Sequence, residues 1–192
     1  VYGDYTYLDQ QPLGVLFATD VFKRCYDGYE VYFGAESVDS TEVKSFPYIR
    51  DTGFTAGTPY FKHPTVPVVR VVGVPYHGTT YQYERFREIQ KGREDFLVCT
   101  AHVLASEQGG TMFEGEDIVK YTDLLSFQPD IFCFGHWHKD QGVTRLQDKT
   151  IVNIGSLTRG SLSQDEMARR PGVAVLSFDK DQPIQVQVVR LK

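Results

Sequence analysis

Three histidines carry the chemistry this sequence offers. His136 and His138 stand one residue apart, directly after Gly135, and Gly135 closes the apolar run Ile131-Phe132-Cys133-Phe134. Such a run has the pattern of a buried strand, and the glycine marks its exit. A loop leaving a strand can aim two imidazoles at one point, and imidazole is the commonest side-chain metal ligand. His-x-His alone is weak evidence of a metal centre. Two features strengthen it. His102 follows a second apolar run, Phe96-Leu97-Val98-Cys99-Thr100-Ala101, and a third run, Ile151-Val152-Asn153-Ile154, leads into Gly155-Ser156-Leu157-Thr158-Arg159. Taken alone, His102 is a hydrogen-bonded histidine at a strand end; beside Gly-His-x-His it becomes a candidate ligand.

Strand then His102, strand then Gly135-His136-Trp137-His138, and strand then Asn153-x-Gly155-Ser156-Leu157-x-Arg159 together resemble the second half of the calcineurin-like metallophosphoesterases. Within them the order is most similar to the SbcD-like DNA-repair nucleases. The resemblance runs from about residue 13 to the end of the chain and is specific between His102 and Arg159. It implies an α/β fold, the four-layer α/β/β/α sandwich, here incomplete. It also implies two divalent metal ions, with manganese first and iron or zinc as alternatives. His102 and His136 would serve one ion and His138 the other. The implied activity is hydrolysis of DNA phosphodiesters, with DNA as partner. Phosphodiester hydrolysis needs charge neutralisation, a hydroxide at neutral pH and a stabilised leaving oxygen, and two ions about 3.5–4 Å apart supply all three.

The same family carries D-x-H, G-D-x-x-D and G-N-H-D/E before these segments, and none is present here. No histidine has Asp two residues before it, Gly3-Asp4 is not followed by the second Asp, and the single asparagine is Asn153. Residues 1–192 therefore read as the C-terminal portion of one metallophosphoesterase domain, lacking the bridging Asp, the Asn ligand and the proton-donating His. A missing N-terminal segment or subunit is the expected partner. Unpaired strand edges and uncovered apolar faces would favour association, including with further copies of the chain. Three histidines on one zinc is a workable geometry in principle, although the resemblance directs them at two ions. Two rival functions stay open: a metallophosphoesterase acting on nucleotides or phosphoproteins, and a catalytically incomplete chain that binds a partner or nucleic acid.

Weaker candidates surround the histidines. Arg159 has the planar fork that suits phosphate oxygens, Ser156 precedes it, and His77 follows a strand end. Each has a plain alternative: Ser156 and Arg159 shape a turn, and His77, like His63, is a loop histidine. Trp137 reads as packing support, and Glu107, Glu114 and Asp140 as solvated loop carboxylates.

Bulk properties narrow the classes. The 192 residues suit one domain, and 41% hydrophobic content supports a core. A net charge of −5 argues against a broad basic surface holding nucleic acid through phosphates alone, but bound metals would alter the charge at a site. No apolar stretch is long enough to span a bilayer, and residues 1–11 lack a signal-peptide pattern. Cys25, Cys99 and Cys133 are widely spaced. Cys99 and Cys133 fall within strands as small buried apolar residues, which suits a reducing cytoplasm.

The elements that must position these residues follow from periodicity. Helices are expected over 11–19, 80–91 and 116–127. Strands are expected over 21–25, 66–76, 96–103, 131–134, 144–146, 151–154, 173–178 and 184–191, with Tyr29–Phe33 as an edge strand. Residues 26–62 lack a sustained period and read as an irregular insertion. In the last strand Ile184, Val186 and Val188 alternate with Gln185 and Gln187, the pattern of a half-buried antiparallel strand. Strand and helix alternation followed by a run of strands predicts sheet-on-sheet packing.

Overall fold

The computed structural model describes residues 29–35, 45–50, 67–74, 76, 79–80, 83–108, 115–158 and 164–191. The helix and strand expected before residue 26 lie outside these residues, as do Cys25, His63, His77, Glu114 and Arg159.

Seven strands form the main sheet. In chain order they are β1 (Tyr29–Ala35), β2 (Ser45–Arg50), β3 (Val68–Val74), β4 (Phe96–Ala101), β7 (Ile131–Phe134), β8 (Gly142–Leu146) and β9 (Lys149–Asn153), arranged β2-β1-β3-β4-β7-β9-β8. β3, β4, β7 and β9 run parallel and make its centre, while β1, β2 and β8 join antiparallel. Tyr29–Phe33 is a strand as expected but not the edge. β2 pairs outside it, and β2 carries Pro47, a residue tolerated at an edge because the ladder there lacks a partner on one side.

The central strands are covered on both faces, which is why they read as largely apolar runs, broken by Arg70 in β3, Thr100 in β4 and the polar ends of β9. On one face Val72, Val74, Leu97, Cys99, Ala101, Phe132, Phe134 and Ile151 pack with Phe86, Leu124 and Phe127. Phe86 belongs to the short helix α1 (Tyr83–Arg87), which lies within the longer helix expected there. On the other face Val69, Val98, Ile131 and Val152 pack against Ile184 and the inward residues Ala174, Leu176, Phe178 and Val186. These belong to the hairpin of β10 (Gly172–Asp179) and β11 (Gln182–Arg190), whose alternation matches the expectation for the last strand. Sheet-on-sheet packing is thus present in a mixed α/β fold. The described layers are helical, sheet and hairpin; a fourth layer is not among the described residues.

Residues 116–127 differ from expectation. They form the short strand β6 (Val119–Lys120), paired in parallel with β5 (Ala105–Ser106), and then a 3₁₀ helix, Tyr121–Ser126. The buried residues Tyr121, Leu124 and Phe127 recur every three positions, the 3₁₀ period, so one apolar stripe served either helix type. A last short helix, α2 (Gln164–Ala168), precedes β10. Among the described residues no helix is long and apolar enough to cross a membrane.

Candidate metal centre

Ligand sites of parallel α/β sheets lie beyond the carboxyl ends of the strands. Here β4 ends at Ala101, and the His102 N–H continues the ladder by donating to Val74 O at 2.9 Å. β7 ends at Phe134, and the Gly135 N–H donates to Ala101 O at 2.8 Å. Because β4 and β7 are neighbours with Ala101 opposite Phe134, His102 and His136 emerge side by side. Their rings meet: His102 Nε2 lies 3.1 Å from His136 Nδ1.

The backbone at His136 has φ of 71°, the left-handed region that non-glycine residues enter at a cost. Such outliers cluster at functional sites, where the surroundings must hold them. What holds this one is visible. Tyr76 stacks on the His136 ring with centroids 5.2 Å apart and also touches His102. Glu116 Oε1 lies 2.7 Å from His136 Nε2, and both side chains are largely buried. Segment 116–120 is itself pinned, by Asp117 N–H to Thr79 O and Val119 N–H to Leu104 O.

His138 is exposed and close enough to act electrostatically on His102. Its carbonyl accepts from the Ser156 N–H at 3.1 Å. Gly155, with φ of 74°, makes this approach possible: a Cβ there would sit 2.4 Å from His138 O. The third loop therefore packs backbone to backbone on the histidine loop. His102 keeps an exposed edge, yet burial first, and then the neighbouring His136, hold its pKa below the ordinary imidazole value.

Of the weaker candidates, Ser156 behaves as a turn former. Its Oγ accepts from the Thr158 N–H at 3.1 Å, and Arg169, anchored by Glu166, donates to the carbonyls of Ser156 and Thr158. Asp140 is not a free solvated carboxylate: it pairs with Arg190 and accepts from the Gly142 N–H. Glu107 is exposed as expected. Glu116 and Tyr76 carry no sequence signal as site residues. Glu116 in particular stands at what looks like a helix start, where acidic residues are ordinary.

The His102 and His136 nitrogens fit a shared divalent ion. Two nitrogens about 2.0–2.1 Å from one zinc ion lie about 2.9 Å apart at a right angle and about 3.4 Å apart at the tetrahedral angle. The observed 3.1 Å falls between. Among the described residues no three His, Cys, Asp or Glu side chains gather closely enough to hold an ion unaided. The pair offers two nitrogen donors, and His138 does not join them in a three-histidine cluster.

No protein-family model matches the sequence, and no curated protein is significantly similar to it. Among solved structures, the chain is similar to a Staphylococcus aureus protein provisionally assigned as a 5′-nucleotidase and solved in complex with α-ketoglutarate. The two share 20% identity at a TM-score of 0.38, over 68% of this chain and 28% of that one. A likeness at this level assigns no activity to this chain.

Proposed function

We propose that this chain bears the histidine side of a metal-dependent phosphoesterase centre, with DNA phosphodiesters as the substrate class. The observation that carries the proposal is the His102–His136 pair at the carboxyl ends of adjacent parallel strands, its nitrogens 3.1 Å apart. The order of the three strand-and-loop segments, ending in Gly155-Ser156-Leu157, supports the diesterase branch over other phosphoesterases.

His102 Nε2 and His136 Nδ1 are the two donors for one ion, and His138 supplies a donor for a second. Divalent ions at such a centre neutralise phosphoryl charge and generate hydroxide at neutral pH. The chain's own contribution is placement. Tyr76 covers one face of the His136 ring, Glu116 holds its far nitrogen, and the Gly155 loop fixes the His138 carbonyl. Manganese is the ion proposed first, with iron or zinc able to use the same nitrogens. The remaining ligands belong to the D-x-H, G-D-x-x-D and G-N-H-D/E motifs, which this sequence lacks. A segment carrying them is the proposed partner, and the four-layer sandwich the proposed complete fold.

The test is manganese binding by equilibrium dialysis, followed by hydrolysis of DNA, nucleotide and phosphoprotein substrates, with and without a supplied segment bearing those motifs. The expected result is weak binding and very slow hydrolysis alone, both lost in His136→Ala, and faster DNA cleavage with the segment. Absence of metal binding under both conditions would overturn the proposal. Faster cleavage of nucleotides than of DNA would replace its substrate.

A further inference from the structure

We infer that Glu116 is a positioning residue that fixes His136 in the Nε2–H tautomer, leaving the Nδ1 lone pair facing His102. The inference rests on the metal-centre reading for its purpose, but not for its geometry. A neutral imidazole carries one N–H and one lone pair, and the hydrogen bond made by one nitrogen decides the role of the other. A carboxylate oxygen accepts, so the nitrogen 2.7 Å from Glu116 Oε1 must donate, and that nitrogen is Nε2. The lone pair is then on Nδ1, the atom 3.1 Å from His102 Nε2.

Burial gives this contact its weight. The Glu116 side chain is 12% exposed and that of His136 13%. Water is a poor competitor for either group, and an unmade hydrogen bond there would leave a desolvated carboxylate. Glu116 cannot trade places with the ion. It lies on the Nε2 side of the ring, and the site shared with His102 lies on the Nδ1 side. Ring rotation is opposed by the Tyr76 stack on the ring face. The backbone of segment 116–120 is tied by the β5–β6 pairing and by the Asp117 and Val119 N–H bonds, so the carboxylate is delivered by a fixed element. A ligating histidine commonly donates its second N–H to a carboxylate, which sets ring orientation and raises ligand basicity. Glu116 supplies that feature across 20 residues of sequence.

The experiment has two readouts on the full chain. The first is the His136 tautomer from imidazole nitrogen chemical shifts, without metal, at about pH 8.5, above the ordinary imidazole range. The second is affinity for manganese and for zinc. Wild type should show the Nε2–H tautomer. Glu116→Gln should keep it, since the amide oxygen still accepts, and should bind metal within a few-fold of wild type. Glu116→Ala should give mixed tautomers and weaken binding about 10–100-fold. An Nδ1–H tautomer in wild type would overturn the inference, as would Glu116→Ala leaving tautomer and affinity unchanged. If Glu116→Gln keeps the tautomer yet binds as poorly as Glu116→Ala, Glu116 acts by charge or as a ligand, and the positioning role fails. If the tautomers shift as expected but no variant binds metal, the role of Glu116 stands and the metal-centre reading falls.

Discussion

The two ends of the parallel strands are built on opposite terms. At the amino end, carboxylates meet structural donors. Asp130 accepts from the Leu97 N–H at 2.7 Å and from Lys91 Nζ at 2.7 Å. Asp95 accepts from the Val68 N–H and lies near Lys180, and Glu94 pairs with Arg70. These contacts stitch strand starts to one another, and their charges are answered locally. At the carboxyl end the backbone is in the left-handed region at His136 and Gly155, and two imidazoles point at each other. The contact is one imidazole–imidazole hydrogen bond whose donor depends on the tautomers, and its nitrogens are also spaced as two donors to one ion would be. The amino end pairs its carboxylates with structural donors, and the carboxyl end sets a left-handed backbone and two paired imidazoles at the strand exits.

The contrast breaks most visibly at Asp130. Asp130→Ala removes the acceptor of a buried strand N–H and the partner of Lys91. It should lower stability by about 3 kcal/mol in urea melts, with the spacing of the histidine pair, and hence metal affinity, little changed. Gly155→Ala acts at the other end. Positive φ and the backbone of His138 both oppose the new methyl, so about 2 kcal/mol should be lost. Metal affinity should fall with it, because the His138 loop must move. A variant with normal affinity would separate that loop from the site.

A smaller effect sharpens the claim of strain. At an ordinary strand or helix position, alanine is more favourable than glycine. At position 136 the order should invert, with His136→Gly about 1 kcal/mol more stable than His136→Ala. Equal stability would mean that the left-handed backbone costs nothing there. Smallest of all, the strand bodies between the two ends should be chemically inert. Burial pushes the Cys133 thiol up to about 11 and the Cys99 thiol higher still. Neither should react with a thiol reagent at pH 8 until the chain is unfolded. Rapid labelling of the native protein, mapped to either residue, would show that the strands open.

How legible this was depended on whether the signal was local. The strands leading to His102 and His136 were readable because both faces of the sheet are buried, which leaves apolar runs with Thr100 the one polar residue within them. Gly-His-x-His was readable because its residues are adjacent. Gly155 was visible as a motif residue, but not the His138 carbonyl that requires it. Glu116 was hidden. It reaches His136 only because a two-residue strand pairs with the segment after His102, and so short a pairing leaves no periodicity. The helix expected over 116–127 is present as a 3₁₀ helix over Tyr121–Ser126, since Tyr121, Leu124 and Phe127 share one face in either helix type, and the residues before it pair as a short strand instead. The edge assignment of Tyr29–Phe33 failed because its outer partner, β2, has no alternation that announces a strand.

His102 and His136 are proposed as two ligands of one ion. The direct test is a double-mutant cycle on metal affinity, measured by calorimetry for wild type, His102→Ala, His136→Ala and the double variant. If the two nitrogens share an ion, either substitution should remove most of the binding at that site, and the second should add little to the first. If the losses simply add, or if either variant binds as wild type does, the 3.1 Å contact is a packing contact between histidines and not a metal centre.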